Sequence, residues 1–198
     1  PVGNTFWNTS VDYSYRNNRL NIQGEFAVSA QGGWATLNSL SVRLFDELQL
    51  SFLYRYYHPK YNAIYGSSFS EGSMVKNEKG FYFGINYPFS RSLKLSSYID
   101  FFQFPYLRYG VSKSDTKGYD FLAELKFNSK KNISWNVRYR KKTKQADYTE
   151  NGKKGIAYTL NQKIKLQSNY TFNDLFQGKS ILNYNQYSGI VSMYVQIM

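Results

Sequence analysis

Residues 6–30 read FWNTSVDYSYRNNRLNIQGEFAVSA, and two interleaved series run through them. Trp7, Thr9, Val11, Tyr13 and Tyr15 fall in one series, and Asn8, Ser10, Asp12, Ser14 and Arg16 in the other. Past Asn17-Asn18 the pattern resumes: Leu20, Ile22, Gly24, Phe26, Val28 and Ala30 oppose Asn21, Gln23, Glu25, Ala27 and Ser29. A repeat of two is strand geometry, because successive strand side chains point to opposite faces. Asn17-Asn18 supplies a two-residue hairpin turn, since Asn tolerates positive φ. The stretch reads as an antiparallel hairpin with one apolar and one polar face.

The same alternation continues outward. Leu40, Val42 and Leu44 oppose Ser39, Ser41 and Arg43, and Ile133, Trp135, Val137 and Tyr139 oppose Ser134, Asn136, Arg138 and Arg140. About ten strands are expected, over 6–16, 19–30, 34–45, 48–57, 80–87, 93–104, 119–128, 133–142, 156–172 and 181–197. The connections near residues 17, 46, 88, 129 and 174 are short to intermediate. Those at 31, 58, 105 and 143 form the other set, which holds the long stretches 58–79, 105–118 and 143–155. Short turns on one side and long loops on the other is how outer-membrane barrels are built, with lipid on one strand face and a polar lumen on the other. The expectation is an all-β, antiparallel up-and-down transmembrane β-barrel, or a large arc of one, forming a single domain over residues 1–198. Trp7, Val11, Leu40, Val42, Leu44, Ile133, Trp135 and Val137 are expected on the lipid side.

Composition agrees. Aromatic residues are 19% of the 198, with 20 Tyr and 15 Phe, which suits strands and the interfacial girdles where a ring meets lipid and a hydroxyl meets water. Mean hydropathy is −0.55, and no run approaches the roughly 20 apolar residues of a membrane helix. A barrel strand needs only about 9–11 residues, half of them polar, so this leaves a barrel open. The absence of cysteine excludes a disulfide scaffold and a thiolate metal site. Net charge is +12 and uneven: residues 1–107 carry 9 Lys/Arg against 7 Asp/Glu, and residues 108–198 carry 16 against 6. A basic half fits solvated loops, lipid phosphates or nucleic acid. Pro1 opens directly into strand-like sequence, and Val191, Met193, Val195 and Ile197 lack the aromatic common at the end of a complete barrel. Ten strands also set both ends on the loop side. The expectation is a segment of a larger barrel, or one strand miscounted at each end.

Residues 53–84 read LYRYYHPKYNAIYGSSFSEGSMVKNEKGFYFG, and residues 98–121 read YIDFFQFPYLRYGVSKSDTKGYDF. Together they resemble the C-terminal region of a large group of Bacteroidota helix-hairpin-helix domain-containing proteins. The resemblance rests on LYR with Pro59-Lys60-Tyr61 and Tyr65, on Phe69, Glu71, Ser73, Asn77-Glu78 and Gly80-Phe81-Tyr82, and on Asp100, Phe104-Pro105, Tyr109, Gly118 and Asp120-Phe121. It is best over residues 34–145, and it implies an outer-membrane barrel-like region of unknown activity. The helix-hairpin-helix modules that grip DNA backbone are absent from this segment, so nucleic-acid binding is not carried over to it.

No catalytic, cofactor or metal constellation stands out: phosphate-binding glycine loops, zinc spacings and nucleophile elbows are missing. His58, the only histidine, would need a serine hydroxyl and an orienting group to act as a base, and its place beside Pro59 at a strand end reads as a surface position. The stretch 58–79 is long yet holds Tyr61, Ile64, Tyr65, Phe69, Met74 and Val75, too apolar for a solvated loop. It is expected to fold back on the barrel mouth or a partner. Its candidate contact residues are Tyr61, Tyr65, Phe69, Glu71, Asn77 and Glu78, with the two glutamates satisfied by Lys60, Lys76, Lys79 or backbone donors. Arg138, Arg140, Lys163 and Lys165 share the polar strand faces and form a candidate basic lumen wall. The functional expectation is a non-enzymatic outer-membrane structural component. It would contact membrane lipid and lipopolysaccharide and dock with other outer-membrane proteins. An anion-preferring pore is the alternative, and a soluble basic β-sandwich binding a polyanion is a further one.

Overall fold

A computed structural model describes residues 6–45, 47–63, 66, 68–129, 133–150, 153–171, 177–188 and 190–197. Eleven strands form one sheet in strict sequence order. They are β1 (Asn8–Arg16), β2 (Leu20–Ser29), β3 (Trp34–Leu44), β4 (Leu48–Tyr57), β5 (Glu78–Pro88), β6 (Leu93–Phe104), β7 (Thr116–Asn128), β8 (Ile133–Glu150), β9 (Lys153–Thr171), β10 (Gln177–Tyr187) and β11 (Ile190–Ile197). Every neighbouring pair is antiparallel. The up-and-down topology is the expected one, and a single sheet rules out the sandwich alternative among the described residues.

The first hairpin closes at Asn17, whose side-chain oxygen accepts the N–H groups of Arg19 and Leu20. Register then fixes the faces. Val42 pairs with Leu50, Leu50 with Ile85, Ile85 with Ser97, Ser97 with Ala123, Ala123 with Tyr139, and Tyr139 with Ile164. Directly opposed residues share a face, so the alternating apolar series merge into one apolar sheet face. The eight residues expected on the lipid side all lie on it.

Three expectations are corrected. The run 181–197 is two strands: the chain reverses after Tyr187, with Ser188 at φ 44, to make β10 and β11. Ser188-Gly189 is a turn dipeptide that the apolar alternation around it masked. The stretch 143–155 is not a loop, because β8 and β9 stay paired from Ile133↔Tyr170 out to Glu150↔Lys153. Its outer part carries polar residues on both faces, so it lacks the contrast by which the other strands announce themselves. Finally, eleven strands make β1 and β11 run in the same direction, from the long-loop side to the short-turn side, so the ends of the sheet are not both on the loop side.

The sheet is open. Among the described residues β1 pairs only with β2, β11 only with β10, and no residue of β1 approaches β11. Because β1 and β11 point the same way, they can close on each other only as a parallel pair. An antiparallel closure needs an odd number of further strands between them.

Burial is the reverse of a water-soluble sheet. On the apolar face Val11 is 74% exposed and Trp7 and Trp135 are each 50% exposed. On the polar face Arg55 and Glu78 are 0% exposed, and Asp100, Asp120 and Glu124 are also buried. Ring pairs run along the apolar face: Phe26, Trp34 and Tyr56 stack near the loop side, Phe52 meets Phe83 in mid-strand, and Tyr87 meets Phe89 at a short turn.

Candidate functional site

The polar face of β4–β8 is roofed by the connection between β4 and β5. β4 contributes Arg55 and Tyr57, β5 contributes Glu78, and β6 contributes Asp100. Arg55 stands opposite Gly80, and a Cβ there would lie 2.4 Å from the guanidinium carbon. Glycine at this position is what lets the guanidinium cross β5. It donates to Glu78 Oε1 at 2.6 Å from Nε, and to Asp100 Oδ1 at 2.7 Å and Oδ2 at 3.0 Å from its two terminal nitrogens. Planar bidentate pairing of this kind suits arginine and not lysine.

Glu78 reaches in the other direction to the roof. Its carboxylate accepts the Glu71 N–H at 2.9 and 3.0 Å and the Gly72 N–H at 2.9 Å. Phe69 lies with its ring 4.9 Å from the Arg55 guanidinium carbon and edge-on to Tyr82. The Tyr57 hydroxyl donates to the Phe69 carbonyl at 2.8 Å and shares a hydrogen bond with Ser68 Oγ. Tyr61 packs with Ala27, Ala35 and Tyr57, and burial, helped by the Glu25 carboxylate, raises its hydroxyl above the usual phenol range. Tyr61 therefore stays neutral at the roof edge.

The second long connection, 105–115, is tied to the first by Asn77. Asn77 has φ 52; its Nδ2 donates to the Tyr106 carbonyl and its Oδ1 accepts the Tyr106 N–H, both at 2.9 Å. Arg108 then donates to the Gln145 carbonyl at 2.6 Å, and Ser112 donates to Asp147 from both its N–H and its hydroxyl. These bonds brace the projecting end of the β8–β9 hairpin.

The structure joins four of the six expected loop residues directly: Phe69, Glu71 and Glu78 around Arg55, and Asn77 at the junction with 105–115. Tyr61 sits at the roof edge, and Tyr65 lies outside the described residues. The partners differ from the expected lysines. Glu71 takes Lys142 Nζ at 2.6 Å, Glu78 takes Arg55 and backbone, and Lys79 points to the opposite, apolar face. His58 Nδ1 accepts the Lys60 N–H at 3.2 Å, which stabilises a turn.

On the candidate basic wall, Arg138 donates to Glu124 at 3.0 Å and Arg140 makes a two-nitrogen pair with Asp120. Lys163 stands opposite Arg140, and Lys165 opposite Arg138; neither makes an ion pair among the described residues. The polar-face ion pairs among the described residues thus fall into three sets: Arg55 with Glu78 and Asp100, Arg140 and Lys142 with Asp120 and Glu71, and Lys126 and Arg138 with Glu124. Sequence reasoning missed Arg55 as the centre of the buried set beneath the roof. The available signal was an arginine in the polar phase of β4 that a glycine of β5 would face once the strands were paired. Among the described residues no cluster of His, Cys, Asp and Glu has metal-ligand geometry.

No family model matches the chain, and no match to it was found among curated proteins.

Proposed function

We propose that this chain is an arc of an outer-membrane β-barrel with lipid on its apolar face, serving as a non-enzymatic scaffold within an envelope assembly. The inverted burial carries this reading: exposed Val, Phe and Trp on one face and buried carboxylates, each paired with a cation, on the other. In water such an apolar face would be an aggregation surface far beyond the few hundred Å² that soluble monomers tolerate. In lipid it is the required surface, and the charges belong on the side away from it. Lipid also forbids unpaired strand edges. β1 and β11 therefore call for strand partners, whether from the same polypeptide or from a neighbour.

The roof favours a scaffold over an open pore, because it covers the loop-side end of the polar face of β4–β8. The anion-preferring pore draws support from Lys163 and Lys165, which make no ion pair among the described residues on that face. Planar-bilayer recording of the full-length protein separates the two: a scaffold gives no steady conductance and co-purifies with an outer-membrane partner, whereas a stable anion-selective current would replace the scaffold reading with the pore. Release from membranes by a high-salt wash without detergent would overturn both.

A further inference from the structure

The apolar face is not uniform. Near its loop-side margin it holds a groove of about 550 Å³, floored by the backbone of Gly80 and Gly118 and walled by Tyr54, Phe81, Phe101, Tyr119 and Tyr158. Its rim is a row of long polar side chains fixed by register: Lys79 opposes Gln103, and Gln103 opposes Lys117. Two interstrand steps separate the lysines, so their backbones stand about 10 Å apart. Phe81, Phe101 and Tyr119 form the adjacent row toward the middle of the strands.

Both lysines are exposed, and neither makes an ion pair among the described residues. This sets them apart from Arg138, Arg140 and Lys142, whose charges are matched on the other face. Asp115, at the rim, accepts from Gln103 Nε2. A cation on a lipid-facing surface extends its amine toward the headgroup layer while its stem covers apolar surface. Here two amines do so at the mouth of a groove lined by rings.

We infer that Lys79, Gln103 and Lys117, with the groove below them, bind one phosphorylated acyl glycolipid of the outer leaflet. Its phosphates sit on the two amines and an acyl chain lies along Phe81, Phe101 and Tyr119. Charge complementarity selects an anionic headgroup, because ammonium–phosphate hydrogen bonds are charge-assisted. The shape and apolar lining of the groove select an acyl chain. The position selects the leaflet: the rim is on the long-loop side, and the longer loops of outer-membrane barrels lie at the cell exterior, where the phosphorylated lipid is the lipid A part of lipopolysaccharide. The inference rests on the outer-membrane reading proposed above.

The test uses the full-length protein in detergent, with native mass spectrometry to measure binding of bisphosphorylated lipid A, dephosphorylated lipid A and phosphatidylglycerol. Bisphosphorylated lipid A should bind best. The double variant Lys79→Gln/Lys117→Gln should lose about tenfold in affinity for it, equivalent to about 1.4 kcal/mol, while Lys113→Gln, away from the groove, should bind as wild type. Removing the phosphates should cost wild type a similar factor, an arm that needs no variant to fold. Three results would overturn the inference: equal affinity of wild type and the folded double variant, equal affinity with and without phosphates, or phosphatidylglycerol bound as tightly as lipid A. Detergent-dependent extraction alongside any of these removes the lipid site alone; extraction by salt removes the membrane reading itself.

Discussion

The two faces of this sheet solve opposite problems with the same backbone. On the polar face, charge is hidden: Arg55 and Glu78 are fully buried, each anchored by several partners, and a folded connection is laid over them. On the apolar face, rings and branched chains stand in the open, and Phe81, Phe101 and Trp135 are each close to half exposed. A sheet with one face packed on a core and the other in water would do the reverse. The difference teaches that the solvent of each face is written into the phase of the strands. A one-residue register slip would exchange the two sets entirely.

The largest effect should come from stranding charge on the hidden face. Arg55→Ala leaves Glu78 and Asp100 buried without their cation, and removal of one partner from a buried network costs about 3–5 kcal/mol. Urea titration of the folded protein should show this loss, together with rapid proteolysis in the 68–77 segment. Stability within about 0.5 kcal/mol of wild type would mean the network is not load-sharing in the way its geometry indicates.

Next is the placement of charge on the open face. Val137→Lys should cost about 2–4 kcal/mol if that face meets lipid near its midplane. Ser134→Lys, one strand face away, should be tolerated. Assembly yield in membranes, read by the heat-dependent mobility of the folded protein, compares them. Equal tolerance would erase the distinction between the faces. The smallest effect concerns the roof: Tyr57→Phe removes the hydroxyl that holds Ser68 and the Phe69 carbonyl. It should cost about 1 kcal/mol, seen as faster amide exchange at 68–72 with the strands unchanged.

Much of this was legible in the sequence because alternation is local. Trp7 to Tyr15 and Ile133 to Tyr139 declare their faces without any knowledge of their neighbours. The apolar load of 58–79 similarly indicated a connection that folds back. What stayed hidden depends on pairing. Gly80 gains its meaning only when β4 is set beside β5, and Lys142 meets Glu71 only after several strands have been laid between them. The outer parts of β8 and β9 were unreadable as strands for a different reason: Thr143, Gln145 and Asp147 alternate with Lys144, Ala146 and Tyr148, so neither series is apolar. The reversal after Tyr187 is hidden in the sequence because apolar alternation continues on both of its sides.

The central claim, that the apolar face is solvated by lipid, can be read from tryptophan. Trp7, Trp34 and Trp135 all lie on that face by register. The protein is reconstituted in vesicles containing brominated acyl chains, and its emission is compared with that of the Trp135→Phe variant to isolate the share of Trp135. The account predicts that the Trp135 share is strongly quenched by the brominated chains and scarcely by acrylamide in the aqueous phase. Quenching of that share by acrylamide, with no effect of the brominated chains, would contradict it.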